Sequence, residues 1–131
     1  MSYTLTWYAI EEVLQLTLKD SLSLDEMKLI NHQIVKLLDE AKRNLTLLID
    51  ASDLTVGYAT VEHLRNTQEY RDHRKLDSIV VVANSKLNRL ITLLVYTLSR
   101  ARFVQVENRE RAWMYMTQRG FSPSTTVTNG C

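Results

Sequence analysis

Two short runs open the chain, Tyr3 to Tyr8 and Val13 to Lys19. In the second, Leu14, Leu16 and Leu18 alternate with Gln15, Thr17 and Lys19. A period of two is the mark of a half-buried strand. The pair predicts a hairpin turned at Glu11 and Glu12. The period then changes. Ser23 and Glu26 stand three apart as a capping box, each side chain able to satisfy the other's free backbone N–H. Beyond them Leu24, Met27, Ile30, Ile34, Leu37, Leu38 and Ala41 recur at helical spacing, with Lys28, Gln33, Lys36, Asp39 and Glu40 between them. The spacing predicts a helix as far as Arg43 that lays one apolar stripe on a sheet.

Leu45 to Ile49 is almost continuously apolar and ends at Asp50, the pattern of a strand buried on both faces, as in parallel sheets. A polar connection is expected over Asp50 to Gly57, then a polar helix from Ala59 to Arg74. Ile79 to Ala83, four β-branched residues and an alanine, predicts a central strand. A helix follows from Ser85 to Ala101, then a short strand over Phe103 to Val106. Asn108 is placed to cap a last helix ending near Gly120, with Trp113 expected to dock that helix on the sheet. The order is ββαβαβαβα: an α/β domain with an N-terminal hairpin, a mostly parallel mixed sheet and four helices. The last ten residues, 122 to 131, are expected to form a flexible tail.

Composition adds mostly exclusions. The chain has 131 residues, enough for one domain with a true core. Sixteen Lys and Arg against fifteen Asp and Glu give a net charge of +1, so no overall field draws in nucleic acid or an anionic membrane. Cys131 is the only cysteine, which excludes an internal disulfide and a cysteine-based zinc site. No apolar stretch approaches the roughly 20 residues of a membrane span, and Met1 to Tyr8 has no leader-like pattern. A cytoplasmic protein is expected.

Catalytic motifs are missing from the sequence. It contains no Gly-x-Ser-x-Gly elbow, and with three glycines it has no phosphate-cradling loop. His32, His63 and His73 are not spaced to share a metal and read as surface histidines. The expectation is a non-enzyme with no cofactor and no metal. Arg65, Arg71, Arg74 and Lys75 form a basic stretch, but Glu62, Glu69 and Asp72 offset it, as on a solvated helix face. The best functional address is the carboxyl end of the Leu45 to Ile49 strand, where Asp50, Ser52, Asp53 and Thr55 gather, because open α/β sheets bind ligands there. The plain alternative is that these residues cap the next helix and hold the turn.

The element order, together with the segment Asp50-Ala51-Ser52-Asp53-Leu54-Thr55-Val56-Gly57-Tyr58-Ala59-Thr60, resembles the STAS fold of bacterial anti-sigma-factor antagonists, in particular its SpoIIAA-like, SEC14-related branch. The Ile79 to Ala83 strand and the closing pattern of Val106 with Ala112 and Trp113 also carry the resemblance, which spans roughly residues 3 to 120. It implies a STAS-like domain over residues 1 to 121 and a non-catalytic module that binds a regulatory protein. In that family a serine at the start of the helix after the aspartate-ended strand is phosphorylated, and its charge decides whether a partner kinase is bound. That position falls on Ala59 here, leaving Thr60, one residue on, as the possible phosphoacceptor. The implied partner-binding surface is Asp50, Ser52, Asp53, Tyr58, Ala59 and Thr60.

The segment from Leu87 to Leu98 is apolar nearly all round, which calls for burial on more than one side. Three uses compete: the domain interior, a homodimer interface, or a groove for a lipid or other apolar ligand. The first choice is a homodimer surface built from Leu90, Leu94, Tyr96 and Leu98. A small apolar-ligand carrier is the alternative function.

Overall fold

The computed structural model describes residues 3–20, 23–54, 69–86, 90 and 101–121. Strands β1 (Tyr3–Ala9) and β2 (Val13–Asp20) form the expected antiparallel hairpin, with Glu11 at its turn in the left-handed region at φ 61°. Strands β3 (Leu45–Leu54), β4 (Leu76–Val82) and β5 (Arg102–Val106) then add one after another in parallel. The result is a five-stranded mixed sheet in the order β1-β2-β3-β4-β5.

Helix α1 (Leu24–Glu40) begins with both hydrogen bonds of the Ser23–Glu26 capping box. Its stripe of Met27, Ile30, Ile34 and Leu38 packs on one sheet face with Leu14, Leu16, Leu47, Ile49, Ile79 and Val81. The helix stops at Glu40 rather than Arg43. Arg43 turns back to Glu12, and the ammonium of Lys75 takes the carbonyls of Asp39 and Ala41. His73 is held there too, its Nε2 2.7 Å from Asp39 Oδ1 and its Nδ1 accepting from the Lys75 N–H. The acceptor role of Nδ1 puts the ring proton on Nε2. His73 is therefore tied to the last turn of α1 through the Asp39 side chain and is not a residue of an exposed helix. Cations at a helix C-terminus are favourable, and α1 carries none in its own last turn.

Helix α2 (Arg109–Gln118) lies on the other face, burying Ala112 and Met116 against Val13, Leu48, Val80 and Val82. Asn108 caps its start through the Arg111 N–H. Its end is a Schellman motif: the Gly120 N–H reaches Thr117 O, the Phe121 N–H reaches Met116 O, and Gly120 sits at φ +87°.

The four-helix expectation is not supported. Only α1 and α2 stand among the described residues, and the helices expected over Ala59–Arg74 and Ser85–Ala101 fall mainly outside them. The described end of the first, Glu69–Asp72, is a short 3-10 turn that carries buried Tyr70. Four helical residues close a loop more tightly than an α-helix would. The connection expected from Asp50 also begins later, because β3 runs on to Leu54.

Candidate site at the carboxyl edge of the parallel strands

Asp50 leaves β3 toward the α2 face and is buried, its side chain 6% exposed. A buried carboxylate requires partners. Arg109, the first residue of α2, donates through Nε to Asp50 Oδ2 at 2.6 Å, and the Ser52 N–H reaches Asp50 Oδ1 at 3.1 Å. The same guanidinium donates through an Nη to Asp53 Oδ2 at 2.8 Å. Its hydrogen bonds to Asp50 first, and then to Asp53, hold the Arg109 guanidinium above its already high ordinary range.

In a regular strand, residues three apart face opposite sides. Asp50 and Asp53 share a side because β3 bulges between them: Thr17 pairs with Asp50 and Lys19 with Asp53, so three steps along β3 match two along β2. The extra residue reorients Asp53 toward Arg109, a common use of bulges at the ends of strands.

Two depressions flank this bridge. One, of about 440 Å³, has Ser52, Asp53, Asn84, Asn108, Arg109, Glu110 and Trp113 among its walls. The other, of about 280 Å³, runs from Gln15, Thr17 and Lys19 on β2 to Asp53, Arg109 and Trp113. Trp113 stands between them, 48% exposed, with Met114 beside it at 60%. The expectation that Trp113 docks α2 is thus overturned. Ala112 and Met116, four apart, form the inward stripe, and Trp113 lies just off it on the helix flank facing β2.

The sheet brings together Asp50, Ser52 and Asp53 among the residues named from sequence. Tyr58, Ala59 and Thr60 lie outside the described residues. So do Leu94, Tyr96 and Leu98, whereas Leu90 is described and exposed. Sequence reading missed Arg109, Asn84 and Asn108 as members of this edge. The signal was available for Arg109: a capped helix starting directly after a parallel strand must begin at the carboxyl edge of the sheet. Among the described residues no group of His, Cys, Asp or Glu is arranged to hold a metal, and no helix is long and apolar enough to cross a membrane.

No protein-family model matches the sequence, and no curated protein matches it. Among solved structures, the chain is similar to an uncharacterized protein of the DUF3478 family from Shewanella loihica PV-4, described as having a SpoIIAA-like fold. The TM-score is 0.63, covering 86% of this chain and 90% of that one at 11% sequence identity. The fold is SpoIIAA-like. The chain therefore shares the architecture its sequence resembles, with a five-stranded mixed sheet and the carboxyl edge of β3 at the centre of the candidate site.

Proposed function

We propose that the protein is a non-catalytic regulatory module, working in the cytoplasm, that binds another protein at the carboxyl edge of its parallel strands. The observation that carries this reading is the exposed Trp113, set between two depressions of mixed polar and apolar lining on a helix pinned by the Asp50–Arg109–Asp53 bridge. Exposed tryptophans on rigid supports are among the residues that most often anchor protein interfaces. The resemblance to the antagonists would add Tyr58, Ala59 and Thr60, which follow β3 in sequence, to the partner-binding residues, with Thr60 as a possible site of modification.

The test is site-specific photocrosslinking in the native host, with a photoreactive phenylalanine analogue at position 113 and, as control, at position 10 on the opposite edge. The expected result is a discrete adduct with a second protein from position 113 that position 10 does not give and that Tyr58→Ala weakens. Absence of any adduct from position 113, or equal labelling from both positions, overturns the reading.

A further inference from the structure

An edge strand presents a row of backbone N–H and C=O groups to whatever comes near, and proteins usually guard such edges with charge, proline or a covering element. The sheet ends at β1 and β5. Strand β5 opens with Arg102 and is only five residues long. Strand β1 reads Tyr-Thr-Leu-Thr-Trp-Tyr-Ala, with no charge and no proline in seven residues. Among the described residues no strand pairs with its outer side.

Its side chains suit a second copy of the same strand. The irregularity opposite β2 lies between Trp7 and Ala9, so Tyr3 to Trp7 is regular. Placed antiparallel about a two-fold axis at Leu5, this segment sets Tyr3 opposite Trp7 on the α1 face and Thr4 opposite Thr6 on the other. Aromatic pairs and threonine pairs are favourable directly across antiparallel strands. Thr4 and Thr6 are exposed, and Leu5 and Trp7 half-buried.

The flank of α1 above β1 continues the patch. Tyr3 donates its hydroxyl to Gln33 Oε1 at 3.1 Å, which fixes that flank over β1. Leu29, one turn before Gln33 and so on the same flank, is 43% exposed, large and apolar. A surface that pairs with itself across a two-fold axis is the commonest form of homodimer contact.

We infer that the outer edge of β1, with the Leu29 flank of α1, is a homodimer interface that joins two five-stranded sheets into one of ten strands. Leu94, from the dimer surface expected from sequence, supplies the control. The test is the mass in solution, by analytical ultracentrifugation at micromolar concentration, of the full chain and three variants.

The wild type and Leu94→Glu are expected to be dimers. Thr4→Lys with Thr6→Lys sets like charges opposite each other and should give a monomer. Thr4→Lys with Thr6→Glu sets opposite charges across the axis and should remain a dimer, which also shows that two substitutions at these exposed positions leave the fold intact. A monomeric wild type, a dimeric Lys/Lys variant, a monomeric Lys/Glu variant or a dimer lost only in Leu94→Glu each overturns the inference.

Discussion

Arg109 Nε lies 2.6 Å from Asp50 Oδ2, joining the first residue of the last helix to the central strand across 59 positions of sequence. The contact is unequal in kind to its neighbour. Asp50 is buried, whereas the side chain of Asp53, held by the same guanidinium, is 55% exposed. Arg109→Ala should therefore destabilise the fold by about 1.5–3 kcal/mol, because it strips the charged partner from a buried carboxylate. Asp53→Ala should cost no more than about 1 kcal/mol, as exposed ion pairs do. Urea denaturation of the two variants checks the ranking, and equal losses would show that burial of Asp50 does not set the strength of the bridge.

Trp113 and Met116 sit three residues apart on α2 with opposite environments. Trp113→Ala should leave stability within about 0.5 kcal/mol of wild type, as for surface positions. Met116→Ala opens a cavity between the helix and Val80 and should cost about 2–5 kcal/mol. Thermal and chemical denaturation distinguish them. A large loss from Trp113→Ala would return this residue to the core.

Gly120 occupies φ +87° with open space where a Cβ would stand. Gly120→Ala should thus be penalised by backbone conformation alone, by about 1–2 kcal/mol. Gly120→Asn should recover part of it, since asparagine tolerates that region better. Comparable melting temperatures for the alanine variant and the wild type would count against the Schellman end.

Burial raises the Tyr8 phenol above its ordinary pKa of 10.0. The unfolded chain then ionises this group at a lower pH than the folded chain does. Its contribution is fully present below pH 10 and is lost as the pH rises from there through the folded value. Melting temperature should fall across that alkaline range, and Tyr8→Phe should make the fall shallower. An unchanged slope in Tyr8→Phe would place the titration elsewhere.

Much of the architecture is local and was legible. The alternation in β2, the capping box of α1, the continuous apolar run of β3 and the Asn108 cap each write their element within a few residues. The site was legible only on one side. Asp50 and Asp53 follow from a strand ending in acids, but their shared orientation depends on a bulge that no periodicity announces. Their cation comes from another element altogether. Trp113 was misplaced because a tryptophan among apolar neighbours reads as core, and only the rotation of α2 decides which of its residues face the sheet. His73 was misread for a related reason, since its partner on α1, Asp39, lies more than thirty residues upstream.

The strands lie in the sheet in the order in which they are synthesised, so each can dock on its predecessor as the chain leaves the ribosome. Asp50 is committed to the sheet at the third strand, and its counter-ion is translated 59 residues later. A nascent or truncated chain lacking α2 holds a carboxylate in the growing sheet without its cation, and leaves the apolar surface of Leu48, Val80 and Val82 without Ala112 and Met116 to cover it. Docking of α2 thus removes an uncompensated charge and a sticky face in a single step, so chains that stop short of it are expected to be prone to aggregation.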